Sequence, residues 1–252
     1  MKPSDWQGMH VVSDENFIAA CSQWFLSYLQ ENSHGTTPLS IVLSGGSTPL
    51  AVYAQIIHQY ASYQIDWGNC HFFWGDERYV PQDDEQNNAH NAIKSLLSFL
   101  QLKEKQYTRP KTNLSLEACA DDYEEQIKHY FDTYGQNHFD LVLLGLGDDG
   151  HTLSLFPGHE LPHDDKRRFI GTVDDEHYGK RITMLPSLVN ESNQITFWIN
   201  GEKKSKAAYQ VLQNDFASKK EYPGKWIAPE KGRILYLMDT AAASGLDSCF
   251  SF

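Results

Sequence analysis

The chain has 252 residues and carries 33 acidic against 21 basic side chains, a formal net charge of -12, so nucleic-acid backbones and anionic membranes repel it and an anionic ligand requires a local basic pocket. Apolar residues make up 40% of the sequence and are spread along its whole length, which supplies a sizeable core and argues against disorder. One large domain over 1–252 is expected, with room for a small additional lobe, and no run approaches the ~20 apolar residues of a membrane span.

Residues 13–31 predict an amphipathic helix, because Phe17, Ile18, Cys21, Trp24, Phe25, Tyr28 and Leu29 recur on one face. The apolar run 41–43 then reads as a strand. After it comes the turn Ser44-Gly45-Gly46-Ser47-Thr48-Pro49 and a helix through Tyr60, with Thr48 as N-cap and Pro49 as first helical residue. Further strands are expected at 71–74, 139–144, 169–173, 195–200 and 234–238, and helices at 88–100, 116–134 and 204–212; residues 157–175 read as a solvated loop. Strands alternating with helices predict an α/β, three-layer, Rossmann-like fold with a mostly parallel sheet flanked by helices. Ligands in such folds gather beyond the carboxyl ends of the strands, at the turns after Leu43, Trp74 and Leu144.

The four cysteines, Cys21, Cys70, Cys119 and Cys249, are far apart and form no CxxC pair, as reduced core thiols of a cytosolic protein do, so neither a disulfide nor a zinc knuckle is expected. The polar first ten residues lack the apolar segment of a secretory signal, and the expected compartment is the cytoplasm.

The turn 44–49 sets two glycines and two hydroxyls at a helix N-terminus, where free N–H groups favour a phosphate; an ordinary capped turn has the same composition. It lacks the Gly-Lys-Ser/Thr ending of a nucleotide loop. Asp76-Glu77-Arg78 follows a buried strand directly, a costly place for charges unless they pair or bind; Arg78 there suits an oxyanion or phosphate, and a local surface salt bridge is the simpler reading.

Gly145-Leu146-Gly147-Asp148-Asp149-Gly150 matches the Gly-x-Gly-x-x-Gly spacing of dinucleotide folds, but its two aspartates would face a pyrophosphate, and Pro157-Gly158 stops a following helix after about two turns. His159-Glu160-Leu161-Pro162-His163 spells the zinc-protease string, which requires a regular helix that Pro157, Gly158 and Pro162 forbid. No metal is expected. His151, two residues after Asp149 in a glycine-rich turn, fits a general base oriented by a carboxylate, and also a structural histidine bonded to backbone. Arg181, Lys203, Lys204 and Lys206 complete the basic candidates.

Taken in order, 44–49, 76–81, 145–158 (GLGDDGHTLSLFPG), 181–190 (RITMLPSLVN), Gly201-x-x-Lys204 and Asp239-x-Ala241-Ala242-Ala243 resemble the 6-phosphogluconolactonase family, which is grouped with the glucosamine-6-phosphate deaminases and isomerases. The deaminases carry Gly-His-Ile where this chain has Gly150-His151-Thr152, carry Asn-Glu-Pro where it has Leu155-Phe156-Pro157, and lack an arginine after the Asp-Glu pair. Asp148, where glutamate is common, and the Asn87-Asn88 pair are conservative departures.

The resemblance implies hydrolysis of 6-phospho-D-glucono-1,5-lactone in the oxidative pentose phosphate pathway, without cofactor. It assigns His151 as the base, Asp149 as its orienting partner and Arg78 as a charge stabiliser. Ser44, Gly45, Gly46, Ser47, Thr48, Asp76, Arg181 and Lys204 become the substrate and phosphate site. The partner is a phosphorylated sugar lactone, bound by a monomer or alternatively a homodimer. Rival readings are a deaminase or isomerase of the same fold and a noncatalytic sugar-phosphate-binding domain.

Overall fold

The computed structural model describes residues 2, 5–160 and 169–246. The readings placed on Cys249 and on 161–163 of the zinc-protease string lie outside those residues.

The elements run β1 (Gly8–Val12), α1 (Phe17–Asn32), β2 (Leu39–Leu43), α2 (Ser47–Gln59), β3 (Cys70–Trp74), β4 (Asp76–Arg78), α3 (Asn88–Ala92), α4 (Leu116–Tyr134), β5 (Leu141–Gly145), β6 (Ile170–Asp175), β7 (Gly179–Met184), α5 (Pro186–Val189), β8 (Gln194–Ile199), α6 (Ser205–Leu212), β9 (Arg233–Asp239) and α7 (Thr240–Ala243). Six strands form a parallel sheet in the order β1-β9-β8-β5-β2-β3, and β4-β7-β6 form a separate antiparallel sheet.

Alternation within the central strands sorts the core into two halves, one on each face, which is why these strands read as continuous apolar runs. Ile41, Leu43, Leu141 and Leu143 pack with α1 and α2. Val42, Val142 and Leu144 face the other way and pack with α4 and α6. The result is the expected three-layer α/β arrangement.

The chain passes outward from β2 to β3, then returns to the other side of β2 for β5 and continues through β8 and β9. The order therefore reverses between β2 and β5, whose pairing covers Ile41 with Leu141 and Val42 with Val142 and then stops. A crevice opens there, beyond the carboxyl ends of the strands, where α/β sheets bind ligands.

α4 occupies the predicted span and is stopped by Gly135 in the left-handed conformation at φ 64°. Other boundaries differ. The first helix begins at Phe17 after a 3-10 turn over 14–16. The stretch 88–100 is helical only to Ala92, then widens into a π turn over 93–97. Thr48 is not a cap: the helix already includes Ser47, its N-cap is Gly46 at φ 100°, and the Thr48 hydroxyl donates to Asn200 Oδ1 on another turn. β4 was read as a turn because three residues are too few to show a period.

Candidate active site

The crevice is a cleft of about 370 Å³. It is lined by Ser44, Gly45, Gly46, Ser47 and Thr48 after β2, Asp76 and Arg78 of β4, His151 after β5, Arg181 of β7, and Lys204 in the 3-10 turn before α6. Asp149 stands behind His151. The structure thus brings together every residue that the sequence assigned to the site, whereas Lys203 and Lys206 are not among the lining residues.

The turn after β5 is no helix. Gly147 N–H donates to the His151 carbonyl at 2.7 Å and Gly150 N–H to the Gly147 carbonyl at 3.2 Å, curling 147–151 into a knot that faces the cleft. The dinucleotide reading fails for this reason, since no helix starts here to present its N-terminus to a phosphate. Asp149 Oδ1 accepts both the His151 backbone N–H, at 3.0 Å, and the ring Nδ1, at 2.6 Å. A carboxylate only accepts, so Nδ1 carries a proton, and in the neutral ring the lone pair is on Nε2. Burial works against the Asp149 charge, but the hydrogen bonds from the His151 ring and backbone outweigh it and hold the carboxyl down at about 2. Gly147 is required by close approach: a Cβ there would lie 2.1 Å from His151 Nδ1.

Arg78 and Arg181 sit directly opposite each other in the β4–β7 register. Each guanidinium reaches a backbone carbonyl at 3.0 Å, of Gln86 and Lys180 respectively, and among the described residues neither forms an ion pair. Burial, then the neighbouring Arg78, lowers the proton affinity of Arg181. Facing cations repel across a strand pair, and an anion bound between them removes the repulsion.

Glu77 alternates away from this face and is fully buried, with Oε1 accepting N–H from Arg78 at 2.8 Å and Asn88 at 2.6 Å, and Oε2 accepting from Ala89 at 2.8 Å. It is therefore the anchor of the arginine strand and of α3, not one half of a surface salt bridge. Burial pushes its carboxyl up to about 7 from 4.5, despite the opposing N–H groups. A raised folded value means the contribution to stability is complete below 4.5 and is lost as pH rises through 7. The melting temperature of Glu77→Gln should accordingly vary less between pH 4.5 and 7 than that of the native chain; an equal slope in both overturns the assignment.

Asp239 plays the matching role at the opposite wall. Both its oxygens accept from Gly201 N–H, at 3.0 and 2.9 Å, and Oδ1 also caps α7 through Ala242 N–H, which fixes the turn that carries Lys204.

Several lining residues escaped the sequence reading, among them Asn88, Ser154, Tyr178 and Asn200. Asn88 Nδ2 donates to the Asp76 carbonyl at 3.0 Å, and Ser154 Oγ to Asp76 Oδ2 at 2.7 Å, which aims the Asp76 carboxylate. Of the zinc-protease string, His159 is engaged with Asp175 at 3.3 Å.

Residues 12–236 match the family model described as glucosamine-6-phosphate isomerases/6-phosphogluconolactonase. The chain belongs to this family. Within it, the 6-phosphogluconolactonase of Synechocystis is 32% identical over 222 residues, covering 86% of this chain and 87% of the relative. A crystal structure of a 6-phosphogluconolactonase from Shewanella baltica superposes with a TM-score of 0.78 at 25% identity, covering 93% of this chain and 98% of that one. A monomeric glucosamine-6-phosphate deaminase shares the fold, with a TM-score of 0.76 at 20% identity over 94% and 99% of the two chains. The fold is thus shared with solved structures of both kinds. No described helix is long and apolar enough to cross a membrane.

Proposed function

We propose that the chain is a 6-phosphogluconolactonase, hydrolysing 6-phospho-D-glucono-1,5-lactone to 6-phospho-D-gluconate with His151 as general base. The observation that carries this reading is the His151–Asp149 pair, whose free Nε2 belongs to the same cleft as the opposed arginines.

Nε2 takes a proton from water as its oxygen attacks C1, and the Asp149 carboxylate stabilises the imidazolium that forms. The carbonyl electrons move onto oxygen, and then collapse of the tetrahedral intermediate breaks the bond from C1 to the ring oxygen. The imidazolium returns its proton to that oxygen, which becomes the C5 hydroxyl. Arg78 faces the charge that develops, while Arg181, Lys204 and the N–H groups of the turn 45–48 hold the phosphate. Water adds to C1 and the ring oxygen leaves with no change of oxidation state, and the protein's part is proton transfer at nitrogen and stabilisation of charge, so this mechanism calls for no cofactor. The same reading takes 1–252 as one domain acting in the cytoplasm as a monomer or alternatively a homodimer, with Cys21, Cys70 and Cys119 free and buried.

The test is lactone disappearance measured against the spontaneous rate, with glucosamine 6-phosphate as a parallel substrate. Acceleration of the first without ammonia from the second is expected, and ammonia release alone overturns the proposal.

A further inference from the structure

The hairpin between β6 and β7 does more than carry Arg181. Asp175 Oδ1 gathers the backbone N–H groups of His177 and Tyr178, at 2.8 and 2.9 Å, while Oδ2 meets His159 Nε2 at 3.3 Å, so the tip of the hairpin is held against the loop after β5. This places the Tyr178 ring flat on Phe156, with centroids 3.8 Å apart and planes 6° from parallel. Phe156 in turn lies 5.1 Å from the His151 ring. The Tyr178 hydroxyl reaches Asp149 Oδ2 at 3.4 Å. That oxygen is the one His151 does not use.

We infer that Tyr178 is a positioning residue for the catalytic pair: its hydroxyl holds the second oxygen of Asp149, and its ring backs Phe156 against the imidazole. The inference rests on the proposed lactonase reading but adds a residue from a hairpin with no sequence continuity to the 145–158 motif.

Asp149 Oδ1 is held by two donors, both from His151; a donor on Oδ2 ties the other end of the carboxylate to a different element and fixes its plane. The phenol is the right donor, since burial and the facing Asp149 keep its proton affinity above the ordinary value, so it stays protonated. The 3.4 Å separation is long, as catalytic hydrogen bonds often are before substrate tightens the site.

The charges around the pair set the sign of the expected pH effect. Asp149 and Asp148 belong to its own turn, His159 follows in the same loop, Tyr178, Asp175, His177 and Arg181 come from the β6–β7 hairpin, Asp76 and Arg78 from β4, and Lys204 from the turn before α6. Removing the phenol hydroxyl changes none of these charges but leaves the Asp149 carboxylate less compensated. Its field on His151 grows, which favours the imidazolium.

Tyr178→Phe keeps the ring stack and deletes only the hydroxyl. Its kcat should fall about 3- to 10-fold, the net size of one ordinary hydrogen bond, as suits a contact as long as 3.4 Å, with KM within about twofold and the acidic limb of kcat/KM displaced to higher pH. Placed on an Asp149→Ala background, the same change should have no further effect, because the group it acts through is gone. The imidazole titration of His151, followed by NMR without substrate, should move up in Tyr178→Phe.

That last measurement needs no turnover: a native chain without lactonase activity sinks the function, whereas an unmoved imidazole titration sinks the role of Tyr178. A rise in KM alone would make Tyr178 a substrate contact and overturn the inference. So would an equal loss with and without Asp149.

Discussion

His151→Ala lowers kcat for lactone hydrolysis by about 10²- to 10⁴-fold, the span general acid-base catalysis supplies, and leaves the fold in place. His151 is a third exposed and belongs to a turn whose own bonds, Gly147 to His151 carbonyl and Gly150 to Gly147 carbonyl, use backbone atoms that alanine retains. The measurement is initial rate minus the enzyme-free rate, because the lactone opens unaided. A variant with more than about a tenth of native kcat would remove His151 as the base, since a loss that small is below what such a group contributes. KM should hardly move, because in the proposed mechanism the imidazole meets the reacting carbon and water, while Arg181, Lys204 and the turn 45–48 hold the phosphate. Asp149→Asn gives a complementary outcome. The amide can offer an N–H to Nδ1, which lets the ring take the tautomer with its proton on Nε2, the wrong nitrogen for a base facing the cleft.

The pairing of His151 with Asp149 is legible because the two lie only two positions apart, so that a short turn suffices to join them. The buried strands were equally plain, since a sheet covered on both faces needs unbroken apolar runs such as 41–43 and 141–144. What escaped was assembled across distance. The opposition of Arg78 and Arg181 depends on the pairing of β4 with β7, and three residues of β4 carry no periodicity from which a pairing can be read. Tyr178 reaches Asp149 from 29 positions away on a hairpin tip, with no local motif to mark it.

Glu77 misled in the other direction: a charged residue beside Asp76 and Arg78 suggests a surface turn, yet strand alternation sends it inward to three backbone donors. The segment after Gly150 shows how a correct exclusion can have an incomplete cause. From the sequence, Pro157 and Gly158 end a helix, whereas the backbone never enters one: Leu153 adopts φ 55° and Thr152 bridges to Leu155. Leu153 in turn packs so close to Gly75 that a Cβ there would meet its Cδ2 at 2.6 Å, which ties the turn after β5 to the turn after β3.

Arg181→Gln separates binding from stability in a way that an ordinary salt-bridge residue would not. The guanidinium faces Arg78 and meets a backbone carbonyl, with the charges of Asp76 and Glu77 partly offsetting the repulsion, so its loss should leave the melting temperature nearly unchanged or slightly higher. With substrate the sign reverses. A charge-assisted hydrogen bond to phosphate is worth about 1.5 to 3 kcal/mol, so KM should rise about 10- to 100-fold, with a much smaller change in kcat. Arg181→Lys should recover only part of this, because an ammonium restores the charge but not the planar two-pronged contact. Inorganic phosphate gives a readout free of turnover: it should raise the melting temperature of the native chain by binding the folded state alone, and raise that of Arg181→Gln far less. If the variant lost stability without ligand and kept its KM, the arginine pair would be an element of the scaffold and the phosphate would have to be held by Lys204 and the turn 45–48. The opposite pattern, equal or better stability with weakened binding, is what an anion site strained in the absence of its anion requires.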